Sequence, residues 1–315
     1  MLSRRQLRVK VLQALYSYYQ TDEPSLTRTE RDLFSGIEKV YDLYLFKLLL
    51  LVEIADYERV YTQDSQQKYL PKASDLNLEN RFYDNTVMKL ISGNEIFNSQ
   101  VKKRKLSWQS DIEKVRKIYM KLKNSSEYED YISKGNKSFE EERDFVNLIF
   151  KNFIVESEVL ETHFEEKNIY WADDDKFVNT AVFRTLKSLK PVMEPQKVLM
   201  PVYKDEEEDT IFMSQLLKNT ITYEKEFEIL IADKTRNWDI DRIAMVDILL
   251  LKMSLAEIKT FSSIPVKVSI NEYIDISKEY STPKSKTFIN GIIDKLVADL
   301  KKKNEIHKTG RGLIE

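Results

Sequence analysis

Residues 237–300 read NWDIDRIAMVDILLLKMSLAEIKTFSSIPVKVSINEYIDISKEYSTPKSKTFINGIIDKLVADL, and their periodicity decides the fold class. Apolar side chains return every three or four positions, as Ile243, Val246, Leu250 and Met253, then as Ile289, Ile293, Leu296 and Leu300. That is the stripe of an amphipathic helix, whereas a half-buried strand alternates with period two. Trp238 and Asp239 open the first of these helices, and Ile264-Pro265 closes the loop after it. Ser269 and Glu272 have the spacing of a capping box for a short helix, and Pro283 starts the last one. Gly291 falls inside that last helix, where glycine costs about 1 kcal/mol relative to alanine. Close approach of another helix is the first explanation for it, and a binding role the second.

Outward from this stretch the same spacing runs through almost all of the 315 residues, and glycine and proline are scarce, at six and seven. The reading is an all-α protein with helices over 3–20, 27–64, 75–93, 95–123, 138–167, 174–190, 208–234, 239–260, 269–280 and 284–303. Pro191, Pro195 and Pro201 mark residues 190–203 as a linker. The acidic run 205–209 suits the positive end of a helix dipole as a solvated first turn. A weak internal repeat aligns Phe145–Trp171 with Phe212–Trp238 at a constant offset. Phe145/Phe212, Lys151/Lys218, Asn152/Asn219, Ile154/Ile221 and Trp171/Trp238 are identical across it.

Composition narrows the chemistry. There is no cysteine, so disulfides, thiolate nucleophiles and cysteine metal sites are excluded. The two histidines, His163 and His307, form no HExxH pattern. No glycine belongs to GxGxxG or GxxxxGK[ST], the loops that cradle nucleotides. These absences point to binding rather than catalysis, with no cofactor and no metal. Three consecutive acids, Asp173 to Asp175, read as a helix N-terminal turn rather than a cation site. The net charge of −2 requires any nucleic-acid role to rest on local clustering. The most apolar window, Leu43 to Ala55, carries Lys47 and Glu53 and is too short to span a bilayer, so the expected location is cytoplasmic, with no membrane partner.

Local clustering occurs at the N-terminus. Ser3 and Gln6 have capping-box spacing, and Leu7, Val11, Ala14, Leu15 and Tyr18 form the buried stripe of a first helix. Arg4, Arg5 and Arg8 lie within an arc of about 100° beside that stripe. With Lys10 they precede the first acid, Asp22. Cations in a first helical turn oppose the dipole at about 0.3–1 kcal/mol each, which invites a functional reason. Guanidinium forks match phosphate oxygens, as on a nucleic-acid backbone. The alternative is a solvated face with surface ion pairs.

Three blocks carry a family resemblance. RRQLRVKVLQALYSYYQ, with Gln13-Ala14-Leu15-Tyr16, looks like the arginine-rich first helix of the NusB family of transcription antitermination factors. IPVKVSINEYIDISKEY resembles the family's Pro-x-x-x-x-Ile-Asn-Glu helix through Pro265, Ile270, Asn271 and Glu272. KTFINGIIDK is similar to its terminal Lys-x-Phe-Val-Asn-Gly-Val-Leu-Asp-Lys through Lys286, Phe288, Asn290, Gly291, Asp294 and Lys295. The resemblance covers residues 1–20 and about 212–300. It implies a helical bundle of the NusB type with additional helices inserted between the first helix and the C-terminal helices. The implied organisation is an arginine-rich helix over 1–20, an inserted helical region over 21–140, and a repeat-like unit over 141–204. The conserved C-terminal helices follow over 205–303, then a flexible tail over 304–315.

The resemblance also implies a non-enzymatic role on RNA. The protein would act with NusE, a small-subunit ribosomal protein, on boxA-containing RNA of ribosomal RNA transcripts within the transcription elongation complex. Arg4, Arg5, Arg8 and Lys10 would meet RNA, with Lys284, Lys286, Phe288 and Asn290 forming a second part of that surface. An exposed aromatic stacks on an unpaired base while lysines hold phosphates; as a core residue, Phe288 would instead pair with Ile292 at helical spacing. Tyr16 and Asp247 match positions turned toward NusE. At Lys284 some members carry an acid, so charge at that edge differs. The competing reading is a helical scaffold that binds proteins without RNA. An RNA methyltransferase, which carries a related domain, would need a catalytic cysteine and a cofactor loop. In the insertion, residues 101–123 hold nine basic side chains against Asp111 and Glu113. They read as a further RNA track, or as a solvated face over inward Ile112, Val115, Tyr119 and Leu122.

Overall fold

The computed structural model describes residues 1–69, 81–135, 137–235 and 243–313, and all regular structure among them is helical. The helices are α1 Arg4–Gln20, α2 Leu26–Gln66, α3 Thr86–Ser92, α4 Glu95–Lys103, α5 Ile112–Lys123, α6 Ser126–Ser133 and α7 Phe139–Ile149. A π-turn over Phe150–Val155 extends α7. Then come α8 Glu158–Lys167, α9 Asp175–Ser188, α10 Glu206–Thr222, α11 Glu224–Lys234, α12 Met245–Thr260, α13 Val266–Tyr280 and α14 Ser285–Lys302. The helix start expected at Trp238-Asp239 lies outside the described residues, as does most of the start of the helix expected over 75–93.

The chain forms two compact units: residues 1–37 with 202–315, and residues 38–201. The segments expected separately as insertion and repeat-like unit share the second unit from 38 to 201.

In the first unit α12 is the central helix. Leu249 to Ile258 are buried without interruption, because α1, α10, α11, α13 and α14 all pack on it. A helix buried all round needs no amphipathic stripe, and α12 has none. Arg8 of α1 meets Glu257 near the end of α12, whereas Gln20 donates to the Met245 sulfur at its start. The two helices therefore run antiparallel.

In the second unit the apolar window of α2, Leu43 to Ala55, is the core. Its Lys47 is buried and satisfied by Asp175 and Asn179 on α9, over the Phe164 ring. Burial lowers the Lys47 pKa against the pull of Asp175. Trp108 stacks on Phe46 at 4.2 Å and donates its indole N–H to the Phe46 carbonyl at 3.1 Å. That anchor breaks the helix expected over 95–123: residues 104–111 turn to bury the indole, and Lys105 takes a positive φ of 54°. Within α5, Val115, Ile118, Tyr119 and Leu122 face inward, and Ile112 is exposed. The short helix α6 falls where none was expected, started by the Ser125 cap.

The repeat is a repeat of structure. The N-caps Ser138 and Asp205, the helix starts 139 and 206, the ends 155 and 222, and the second-helix ends 167 and 234 all differ by 67, the offset read from sequence (205 − 138, 206 − 139, 222 − 155, 234 − 167). Buried positions recur at the same offset: Phe145 and Phe212, Val146 and Met213, Ile149 and Leu216, Phe150 and Leu217. Each copy breaks into two helices, at Glu156 and at Tyr223, where a single one was expected.

Candidate nucleic-acid interface

Helix α1 starts as its residues dictate. Ser3 caps it, and Gln6 closes the box. Position in the first two turns sends Arg4, Arg5 and Arg8 toward α10, α12 and α13. Arg8 is buried and forms a bidentate pair with buried Glu257, at 2.7 and 2.8 Å. Glu257 also accepts from the Ser269 and Tyr273 hydroxyls. Burial works against the Arg8 charge, but the bonds and charge of Glu257 outweigh it and raise the pKa. Burial and the same carboxylate push the Tyr273 phenol well up.

The outer two arginines are partly open. Arg5, held by Glu272 and Asp275 at 2.7–3.1 Å, has its pKa raised first by the Glu272 bond. Arg4 pairs with Asp209 at 3.1 Å and lies over the Phe212 ring at 4.6 Å. Asp209 belongs to the acidic run but is not solvated: it is buried and also accepts the backbone N–H of Lys204 and Asp205. Ser269 sits inside α13 rather than capping it, since Pro265 is the N-cap and the Ser269 hydroxyl is committed to Glu257.

These arginines border an open groove of about 980 Å³. Its apolar wall comes from Ile211, Phe212, Phe261, Ile264, Pro265 and Val268. Ile211 and Val268 are about half exposed there.

The second cluster lies at the opposite end of α12. Asp247 is buried at the start of α12 and accepts from Ser281 and Ser285, pinning the corner between α13 and α14. From Asp247 to Glu257 is ten residues of helix, about 15 Å. Lys284 and Lys286 are exposed at the start of α14, and Asn290 is half-buried. Phe288 is buried. A Cβ on Gly291 would meet nothing within 4 Å, so no neighbouring helix explains that glycine. On α1, Lys10 is buried and bonds Gln13, while Tyr16 is 44% exposed. Thus Arg4, Arg5, Tyr16, Lys284 and Lys286 reach the surface, whereas Arg8, Lys10, Phe288 and Asp247 lie inside.

The described tail is docked rather than loose. Lys308 donates to the Phe261 carbonyl, the Thr309 N–H to Ser262, and Glu305 pairs with Lys259. Gly312 packs so tightly that a Cβ would stand 1.9 Å from the Ser262 oxygen. Two of the six glycines falling in the last six residues was the sequence signal for this contact.

Comparison with known proteins matches residues 176–298 to the NusB family model, from α9 into α14. The chain is 36% identical over 110 residues to the transcription antitermination protein NusB of Halalkalibacterium halodurans, covering 35% of this chain and 82% of that protein. The chain belongs to the NusB family. The NusB protein of Salinibacter ruber is 44% identical over 103 residues, and that of Chloroherpeton thalassium 38% over 104, each across 33% of this chain. The matches span 64% and 49% of those two relatives. No solved structure matches. Among the described residues, no helix is long and apolar enough to cross a membrane.

Proposed function

We propose that this chain is a non-catalytic RNA-binding transcription antitermination factor that acts with NusE on boxA RNA of ribosomal RNA transcripts. The observation that carries the reading is the arrangement of α1, whose first turn holds Arg4 and Arg5 half open beside a groove with an apolar wall. The family relationship supports it. Carboxylates hold both guanidinium groups in place, so little side-chain entropy is lost when a phosphate arrives.

In this proposal Arg4, Arg5, Lys284, Lys286 and Asn290 contact RNA. Arg8 and Lys10 set the position of α1 from inside, and Phe288 sets that of α14. The open space over Gly291 admits a ligand to the helix backbone. Tyr16 offers the exposed surface for NusE, and Asp247 shapes the corner near it. A short single strand spans the two clusters.

The test is a titration of a short boxA-like RNA with and without NusE at two salt concentrations. Binding tightens with NusE and weakens with salt, with a slope of about −0.7 per phosphate contact on a single strand. Arg5→Glu weakens RNA binding and leaves NusE binding intact. No RNA binding in any condition, with NusE still bound, refutes the proposal in favour of a protein scaffold.

A further inference from the structure

Arg311 is set apart from the other arginines at the groove. Arg4, Arg5 and Arg8 each pair with a carboxylate. Arg311 lines the same groove, is exposed, and has no ion pair among the described residues. The tail is held there by donating to the Phe261 and Ser262 carbonyls that follow α12. Gly310 takes a positive φ of 53°, and Gly312 permits backbone contact with Ser262. An unpaired guanidinium held at the mouth of an apolar groove calls for an anion with a flat apolar part.

Resting on the RNA-binding reading above, we infer that the docked C-terminal tail is part of the RNA site. Arg311 grips a backbone phosphate of single-stranded RNA, and the attached base lies against Phe261, Ile264 and Pro265. Pairing singles out this residue: Glu208 and Glu272 at the rim bond Arg4 and Arg5, and Arg311 is the groove's arginine without a carboxylate partner among the described residues. The groove is also large enough for a nucleotide with room to spare, since small-molecule sites run to about 300–1,000 Å³. An unstacked base is the flat apolar group that single-stranded RNA offers such a wall.

The experiment uses the full chain, the boxA-like RNA and a uridine dodecamer, in titrations over a salt series. Arg311→Glu lowers affinity about tenfold and reduces the salt slope by about 0.7, one phosphate contact. Arg311→Lys retains part of the affinity because charge survives and the fork does not. Gly312→Ala lifts the tail, raises its proteolytic sensitivity and weakens RNA binding like Arg311→Ala. Lys225→Glu, the same charge step at an exposed site on α11, leaves affinity within about twofold.

If wild type binds RNA while Arg311→Glu binds equally well with an unchanged slope, the inference falls and the RNA-binding reading stands. It also falls if Lys225→Glu costs as much as Arg311→Glu, or if Gly312→Ala frees the tail without loss of affinity. Loss of NusE binding alone in Arg311→Glu would make the groove a site for a protein carboxylate. Absence of RNA binding by wild type removes both readings.

Discussion

The helix pair over Phe139–Lys167 and the pair over Glu206–Lys234 share caps, lengths and buried positions, yet they end in different chemistry. In the first, Phe145 stacks on Tyr131 at 3.6 Å with the planes 4° apart, and Phe82 meets it edge-on. In the second, the equivalent Phe212 faces Arg4 at 4.6 Å and Arg8 at 5.2 Å. The acid one turn earlier repeats the contrast. Glu142 accepts the Thr86 N–H at the start of α3, whereas Asp209 takes Arg4. The same scaffold closes as aromatic core in one copy and holds a cationic edge in the other. What differs is the helix laid on it. The candidate interface is thus a property of α1 and of the acids that receive it, not of the helix pair.

The largest effect comes from breaking that reception. Glu257→Ala leaves the buried Arg8 charge with only Glu272 at 3.6 Å and strands two hydroxyls, which costs about 3–5 kcal/mol. Urea unfolding measures it. The double change Arg8→Met with Glu257→Leu recovers the part of the loss due to the unbalanced charge, because two charges leave the interior together, and not the part due to the Ser269 and Tyr273 hydroxyls. A Glu257→Ala loss under about 1 kcal/mol would show that α1 is not held by this pair.

A smaller pair of substitutions sharpens the contrast. Phe145→Leu forfeits the stack on Tyr131, about 1 kcal/mol, and leaves RNA affinity unchanged. Phe212→Leu removes the ring beneath two guanidinium groups at about 1–2 kcal/mol and also weakens RNA binding several-fold, since Arg4 loses its seat. Equal effects on RNA from both would erase the distinction between the copies.

Helical class, the α1 cap and the repeat offset were legible because each depends on spacing within a short window. The repeat proved accurate to the residue at three helix boundaries, and the second-helix starts, Glu158 and Glu224, are one residue off the offset. The fate of Arg8 was not legible, since its partner Glu257 lies 249 positions away and nothing local marks Arg8 as different from Arg5. Ser269 misled for a related reason: the serine and acid of a capping box are the same residues that reach sideways to other helices. The break at 104–111 is invisible in periodicity because it serves one indole that packs on α2.

The smallest expected effect separates the two ends of the first unit by pH. Lys308 gives the tail a titratable anchor that α1 lacks. Docked, its amine donates to the Phe261 carbonyl, and burial pushes its pKa down to about 8 against the opposing pull of Glu257. Undocked, it titrates near its ordinary 10.5. Between these values the free tail carries a proton that the docked tail does not, so docking strengthens as pH rises from about 8 toward 10.5 and bears its full penalty below 8. The absence of cysteine allows a single label at Leu313→Cys. Its anisotropy rises from pH 7 to 9.5 in the otherwise wild-type chain and stays level when Lys308→Met is added. A rise of equal size in both would assign the pH dependence to another group. A fall would reverse the sign argued for the buried amine.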